Sequence, residues 1–239
     1  MDELAGRGTS ESASPSKPHF HGHRERLRQR VLEQGPSSLS DYEIIEFLLF
    51  GAKPRGDVKP LAKALIAQFG SLAGVLSAAP WDLKQVPGMG DASVAALAIV
   101  PEAATRLSRA DILDQPVIDS WSQLVGYCRM IMGRAPVEHF RVLFLDRKNR
   151  LIADEEQQRG TVDHTPVYPR EIVKRALELS ASALILVHNH PSGDATPSSG
   201  DIAMTREIKE TASRMGIELH DHLIITRAGE SSFRSLGLL

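Results

Sequence analysis

Apolar and polar positions follow one spacing in the first half of the chain and another in the second half. Up to about residue 110 the apolar positions recur three or four residues apart, which predicts one helix after another. Beyond residue 119 short apolar runs alternate with helical patterns, which predicts a mixed α/β domain. The predicted helices of the first half are HGHRERLRQRVLEQG (21–35), DYEIIEFLLFGA (41–52), VKPLAKALIAQFGS (58–71) and a helix, a glycine turn and a longer helix in 81–110.

Four apolar runs in the second half predict strands. HFRVLFLD and LIADEEQQRG flank the turn RKNR, so we expect these two strands to pair with each other. ALILVHNH and IELHDHLIIT are the other two strands. The predicted helices between them are WSQLVGYCRMIMG, YPREIVKRALELSA and DIAMTREIKETASRMG.

Helix-capping residues support these boundaries. Ser40 or Asp41 can begin the second helix, and Ser120 can begin the first helix beyond the linker. Pro169 fits the first turn of a helix, and Gly216 fits the end of another. The predicted organisation is a disordered tail over 1–20, a helical domain over 21–110, a linker over 111–118 and an α/β domain over 119–239. No long-period repeat interrupts it.

Composition narrows the function classes. The chain has 239 residues, a formal net charge of −2 and one cysteine, Cys128. A single cysteine excludes a disulfide framework and a cysteine-based zinc site, and we expect Cys128 to be a core residue. The polar start of the chain lacks the apolar segment of a signal peptide, and no apolar run approaches the roughly 18 residues of a membrane span. We therefore expect a cytoplasmic protein with no membrane partner.

The stretch HNHPSGDATPSSGD (188–201) carries the candidate chemistry. On a strand, His188 and His190 point to the same face and Asn189 points to the other. Pro191 ends the strand, and the loop is long enough to return Asp201 to the same point. Two imidazoles and a carboxylate, with a fourth position open to water, are the ligands of a catalytic zinc site.

Structural explanations compete with zinc binding at each of these residues. His-x-His is a common pattern, and His220 and His222 repeat it without the following loop, so we expect those two to be ordinary strand residues. Asp201 also completes S-x-x-D at a helix start, where Ser198 would be the N-cap of a capping box. Asp194 is better explained as a turn residue than as a ligand. Spacing alone leaves metal binding and helix capping open.

The motif H-x-H-P, six residues and S-x-x-D resembles that of the JAB/MPN (JAMM) metalloproteases. Its surroundings, RGTVDHTPVYPREIVKRALELSASALILVHNHPSGDATPSSGDIAMTREIKE, resemble the bacterial RadC family, in which asparagine stands at position 189. The resemblance implies a JAB/MPN zinc domain preceded by a helix-hairpin-helix domain. It implies Zn²⁺ as cofactor, bound by His188, His190 and Asp201.

The resemblance also implies the catalytic roles. Ser198 would help hold the water and the developing oxyanion. A glutamate at the start of an earlier strand acts as general base in this family, and matching EHFRVLFLD to that strand places it at Glu138. The residues alone indicate only that a base is needed, and they leave Glu155, Glu156 and Glu171 as alternatives.

A second candidate site lies in VPGMGDASVAAL (86–97). Its G-h-G turn is typical of a helix-hairpin-helix, whose backbone N–H groups can contact a DNA phosphate, with Gly88 and Gly90 allowing close approach. Asp91 is unfavourable there, and basic residues nearby are few. The hairpin can equally serve only to pack helices. Weak DNA binding is the most that we expect of it.

The sequence therefore predicts a zinc-dependent amide hydrolase, a metallopeptidase or isopeptidase, in which a zinc-activated water attacks a carbonyl. The alternative is a DNA-binding repair or recombination accessory protein with a structural or idle metal site. The expected partner is a peptide or protein substrate, and its identity does not follow from the sequence.

Overall fold

The computed structural model of the chain describes residues 22–113, 116–117, 119–160 and 167–239. The tail predicted over 1–20 lies outside the described residues, as do residues 114, 115 and 118 of the predicted linker and residues 161–166. The chain forms two compact units, and the division falls between Ala98 and Ile99.

The first unit is helical, as the apolar spacing predicts. Ser40 rather than Asp41 is the N-cap of the second helix, and it forms a capping box with Glu43. Buried Ile45, Leu49 and Leu65 belong to the core that joins these helices. The helices are α1 (His23–Gln34), α2 (Asp41–Ala52), α3 (Lys59–Phe69), α4 (Leu72–Ser77), α5 (Pro80–Lys84) and α6 (Asp91–Leu113), with a 3-10 turn at Pro36–Ser38. None of the helices in the described part of the chain is long and apolar enough to cross a membrane.

The predicted hairpin is formed by α5, a tight turn and α6. Gly88 has φ of +94°, a left-handed conformation that favours glycine. The N–H of Met89 donates to the carbonyl of Val86 at 3.0 Å, and both side chains are buried in the helical core. The turn therefore packs into its own unit while Gly90 stays exposed.

The linker predicted over 111–118 requires correction. Residues 111–113 are the last turn of α6, so the helix continues across the division between the units. Ile112 and Val117 are fully buried in the core of the α/β unit. The aspartates and the proline of this segment suggested a linker, but two of its four large apolar residues are used for packing.

The second unit contains a five-stranded mixed sheet with the order β2-β1-β3-β4-β5. β1 pairs antiparallel with β2, as predicted from the turn between them, and also with β3. β3 and β4 are parallel, and the short β5 pairs with β4. The strands are β1 (Glu138–Leu145), β2 (Leu151–Gly160), β3 (Ala183–Asn189), β4 (Glu218–Ile225) and β5 (Glu230–Ser232).

Helices cover both faces of this sheet. The helices are α7 (Trp121–Met132), α8 (Pro169–Glu178) and α9 (Ser199–Arg214). Ile185 and Val187 of β3 belong to the core on the α7 side, whereas Leu184 and Leu186 belong to the core that includes α8 and α9. Every residue of β3 is therefore buried. Helical and α/β regions thus occur in the predicted order.

Two local predictions in this unit turned out differently in detail. Ser120 does precede α7, but its hydroxyl donates to the carbonyl of Pro116 instead of capping the helix. Four strands were predicted for this unit, and the structure adds a fifth, β5, after β4. Cys128 is a buried core residue as expected, and burial raises the pKa of its thiol.

Candidate metal centre

The end of β3 and the start of α9 meet at one point. His188 is the next-to-last residue of β3, and His190 follows the strand, where its N–H donates to the carbonyl of Ile225 at 3.0 Å. Asp201 lies in the first turn of α9. One ligand atom from each of these three residues lies within 4.8 Å of the other two.

The ring nitrogens that converge are the two Nε2 atoms, which lie 2.9 Å apart. The Nε2 of His188 is 3.3 Å from Oδ1 of Asp201, and the Nε2 of His190 is 3.7 Å from Oδ2. The structure thus brings together the three residues predicted as zinc ligands. Among the described residues, no other histidine, cysteine or acidic residue joins the group.

The loop between the histidines and α9 holds His190 in place. Gly193, with φ of +88°, allows the turn that follows Pro191. The carboxylate of Asp194 accepts the N–H of Thr196 at 2.9 Å, which makes Asp194 the turn residue that was favoured. Its backbone carbonyl lies 2.6 Å from Nδ1 of His190. Because a carbonyl only accepts, Nδ1 of His190 carries the proton and Nε2 carries the lone pair.

Asp201 is held by the helix cap as well as by its position. Its Oδ2 accepts the N–H of Ser198 at 2.7 Å and the hydroxyl of Ser198 at 2.6 Å. The N–H of Asp201 approaches the hydroxyl oxygen of Ser198 at 3.1 Å, which completes the capping box. Helix capping and a place in the cluster are therefore compatible, and Asp201 has both.

Electrostatics favour positive charge at the point of convergence. Burial lowers the pKa of His188 to about 4, so this ring is neutral at pH 7. Burial alone would raise the pKa of Asp201, but the proximity of the His190 and His188 rings and the hydrogen bonds from Ser198 hold it well below its usual range. The nearby carboxylate of Asp201 raises the pKa of His190.

Glu138 occupies the first position of β1, beside the cluster. Phe140 is paired with His188 in the antiparallel register, so two more residues along each strand bring Glu138 next to His190. Glu138 is exposed, and its charge helps to raise the pKa of His190. The buried side chain of Asn189 bonds the backbone of β1 on both sides of Glu138.

The other glutamates considered from the sequence have different partners. Glu155 accepts hydrogen bonds from Arg175 on both carboxylate oxygens. Glu156 bonds His139 and Arg141, and Glu171 pairs with Arg170 on the surface of α8. Glu138 has no hydrogen bond or ion pair with a side chain in the described residues. Among these four glutamates, Glu138 is therefore the one whose carboxylate is available at the cluster.

His222 is a site residue that the sequence did not indicate. It lies on β4, is fully buried, and its Nε2 is 2.7 Å from Nδ1 of His188. Burial lowers its pKa well below the usual value. His220 is turned elsewhere, with Nε2 2.7 Å from the side-chain oxygen of Asn149. His220 and His222 are strand residues, as expected. The contact between His222 and His188 follows from the parallel pairing of β3 with β4, which the local sequence does not reveal.

The hairpin in the first unit presents little positive charge. Lys84 forms an ion pair with Asp91 at 2.6 Å at the start of α6. In α1, Arg24 donates to the carbonyls of Phe50, Lys53 and Gly56, and Arg30 pairs with Glu43. Gly88 and Gly90 lie in the turn between the two helices as predicted. A Cβ at Gly90 would meet open space, so this residue leaves the backbone accessible.

Comparison with known proteins accounts for most of the chain. The RadC-like JAB domain matches residues 118–238, which is half of the chain, and the UPF0758 N-terminal domain matches residues 21–95. The chain belongs to the RadC family. A RadC-family relative, the UPF0758 protein of Rhodobacter capsulatus, is 60% identical over 213 residues, which cover 89% of this chain and all of the relative. The fold and family expected from the H-x-H-P-x6-S-x-x-D motif are therefore confirmed.

Proposed function

We propose that the α/β unit is a zinc-dependent amide hydrolase, a metallopeptidase or isopeptidase. His188, His190 and Asp201 hold the zinc, and Glu138 is the general base. The observation that carries this proposal is the convergence of two Nε2 atoms and one carboxylate beside a glutamate that has no other side-chain partner among the described residues.

The donor atoms fit a cation better than they fit each other. His190 presents a lone pair from Nε2, because its proton is held on Nδ1 by the carbonyl of Asp194. That lone pair faces Nε2 of His188 at 2.9 Å, with the carboxylate of Asp201 alongside. Two imidazoles and one carboxylate are a zinc donor set, and three protein ligands are typical of a catalytic rather than a structural site. When bound, zinc supplies a Lewis acid that lowers the pKa of water and polarises a carbonyl.

Glu138 moves the protons in this proposal. Its carboxylate accepts a proton from the attacking water and delivers it to the leaving amine nitrogen. The position at the end of β1 suits this role because the side chain is exposed to substrate and lies beside His190. A carboxylate outside the ligand set stays free to exchange protons.

Ser198 donates a hydrogen bond to the substrate oxygen in this proposal. Its hydroxyl donates to Asp201 in this structure, and rotation about the Cβ–Oγ bond turns the same proton toward a carbonyl that develops negative charge. Asp201 keeps the backbone N–H of Ser198 when the hydroxyl turns away. Ser198 therefore stabilises the oxyanion without releasing the ligand.

The decisive experiment measures zinc content and peptidase turnover on Glu138→Gln. Glutamine keeps the size of the side chain but cannot accept the proton. We expect one zinc per chain, normal folding and a loss of roughly 10² or more in turnover on a mixed library of fluorogenic peptides. Glu171→Gln, an exposed glutamate on α8, is the matched control and should keep full turnover. Undiminished turnover in Glu138→Gln would move the base to another glutamate, and loss of zinc would make Glu138 a ligand.

Zinc binding itself has a separate test. Elemental analysis should find one zinc per chain in the wild type, and none in His188→Ala or Asp201→Ala. His220→Ala should keep its zinc, because His220 bonds Asn149 and not the cluster. A full zinc complement in the His188→Ala/His190→Ala double variant would contradict the assignment of the ligands.

A further inference from the structure

A chain of hydrogen bonds joins two of the proposed ligands behind the cluster. Nδ1 of His188 lies 2.7 Å from Nε2 of His222, and Nδ1 of His222 lies 2.6 Å from the hydroxyl of Thr205. Thr205 lies one turn after Asp201 on α9, and its hydroxyl is 2.5 Å from the backbone carbonyl of Asp201. The path therefore runs from one ligand residue, through two buried side chains, to another ligand residue.

Only one set of proton positions satisfies every contact in this chain. The carbonyl of Asp201 can only accept, so the hydroxyl of Thr205 donates to it. The hydroxyl oxygen is then free to accept from Nδ1–H of His222. This leaves Nε2 of His222 without a proton, and it accepts from Nδ1–H of His188.

The reverse direction fails at its first step. If the hydroxyl of Thr205 donated to His222, its oxygen would face the carbonyl oxygen of Asp201 at 2.5 Å with no proton between them. Two acceptors at that distance repel each other, and both would be buried without compensation. The bond to the carbonyl of Asp201 thus sets the direction of the whole chain.

We propose that Thr205 and His222 are positioning residues, which hold the ring proton of His188 on Nδ1 and so present the lone pair of Nε2 to the metal. The zinc part of this inference rests on the proposed function, whereas the assignment of the proton does not. Outer partners that fix the tautomer of a ligating histidine strengthen metal binding. His190 has the simpler version of this arrangement, a single backbone carbonyl on Nδ1.

The surroundings prevent the rings from reorienting. His222 is fully buried, and Thr205 and His188 are 1% and 5% exposed, so water does not compete for these hydrogen bonds. The ring of His222 stacks on Phe233 with centroids 4.5 Å apart, and it meets the edge of Phe140 at 5.8 Å. Rotation of the imidazole would require these aromatic contacts to break. The chain of bonds is therefore enclosed by apolar side chains.

The first test is nuclear magnetic resonance of the metal-free wild type, with ¹⁵N-labelled histidine and the His188 signals identified from their loss in His188→Ala. We expect His188 and His222 each to carry the ring proton on Nδ1. A proton on Nε2 of His188 would overturn the proposal. This measurement needs neither zinc nor activity.

The second test compares three threonine variants by zinc affinity, measured in competition with a chromophoric chelator. Thr205→Val removes the hydroxyl while it keeps the size of the side chain. His222 then loses its acceptor, its proton moves to Nε2, and His188 is forced to carry its own proton on Nε2. We expect zinc affinity to fall by about 10- to 100-fold. Thr205→Ser keeps the hydroxyl and should bind zinc as the wild type does.

Thr211→Val is the matched control on the same helix. The hydroxyl of Thr211 donates to the carbonyl of Glu207, one turn earlier on the helix, at 2.8 Å. Thr205 makes the same kind of contact with the carbonyl of Asp201, but the Thr211 contact is exposed. Wild-type zinc affinity in Thr205→Val, or an equal loss in Thr205→Ser or Thr211→Val, would overturn the proposal. A wild type that binds no zinc but carries both protons on Nδ1 would refute the proposed function and leave the proton assignment standing.

Discussion

Asn189 holds the β1 strand on both sides of Glu138. Its Oδ1 accepts the N–H of His139 at 2.8 Å, and its Nδ2 donates to the carbonyl of Val137 at 3.1 Å. These two peptide groups flank Glu138, so they fix the direction in which its side chain leaves the strand. Asn189, the last residue of β3, thereby sets the position of the carboxylate on β1.

Replacing Asn189 by leucine should separate positioning from metal binding. The N–H of His139 and the carbonyl of Val137 would lose their partner, which costs about 1–3 kcal/mol of stability. Turnover per zinc-loaded chain should fall by roughly 10- to 100-fold, because the proposed base, Glu138, is displaced. Asn149→Gly, which removes an asparagine bonded to His220, is the control. Unchanged turnover per zinc in Asn189→Leu would show that Glu138 needs no such support.

Ser198→Ala should affect the helix and the chemistry together. Loss of the hydroxyl removes one donor to Asp201 and the cap of α9, which lowers stability by about 1 kcal/mol. Turnover should fall further than the loss of folded protein explains. Ser71→Ala removes an equivalent cap from α4, in the helical unit, and should lower the melting temperature without changing turnover. Equal turnover per folded chain in the two variants would exclude Ser198 from oxyanion stabilisation.

The helical unit should become more stable as the pH falls toward 4.5. Glu46 is fully buried with His23 at 3.2 Å, and burial raises the pKa of Glu46 above its ordinary value. The folded state therefore holds a proton that the unfolded state releases, and the resulting stability is lost as the pH rises through the raised pKa. Urea midpoints followed by Trp81 fluorescence, in a Trp121→Phe background, measure this unit in the full chain.

Glu46→Gln is the matched variant for that measurement. Glutamine can still accept a hydrogen bond from His23 but does not titrate. The urea midpoint of this variant should therefore be higher than that of the wild type at pH 8, and it should vary less with pH. A wild-type midpoint that rises with pH over the same range would contradict the direction of the Glu46 shift.

The hairpin can be tested for DNA contact without disturbing its core. Phosphate contact at the turn predicts weak duplex binding that falls as salt rises. Gly90→Val should remove it, because a side chain there would occupy the open space in front of the backbone. Asp91→Asn should strengthen it by removing a negative charge beside the turn. Absence of duplex binding by the full chain at low salt, in both the wild type and Asp91→Asn, would leave the hairpin with a packing role only.

Local sequence predicted the parts of the site that lie close together along the chain. Strand periodicity places His188 and His190 on one face, and the family motif supplies Asp201 from a nearby helix start. Glu138 needed the family resemblance, because several glutamates satisfied the chemistry equally well. The ion pairs of Glu155 and Glu156, which set them apart from Glu138, depend on tertiary contacts.

Contacts between residues on neighbouring strands could not be predicted from the local sequence. His220 and His222 have the spacing of the first pair, and only the parallel register of β3 with β4 shows which of the two meets His188. Asn189 was expected to point to the face opposite His188 and His190, but nothing in the local sequence indicated its hydrogen bonds with the backbone of residues 137 and 139. Ile112 and Val117 lie in a segment whose aspartates and proline suggested a linker, and the three residues of β5 are too few to give a pattern.

The capping box has a consequence for how this protein would handle its cofactor. Ser198 and Asp201 are held in the first turn of α9 by the hydrogen bonds of the capping box, none of which involves a metal ion. Small zinc domains that lack such independent support unfold when the metal is chelated. If the α/β unit binds zinc as proposed, Asp201 is already in place before the ion arrives, and we expect the polypeptide to stay folded when the ion is removed. Under that proposal, the supply of zinc sets the fraction of active molecules within a constant pool of protein.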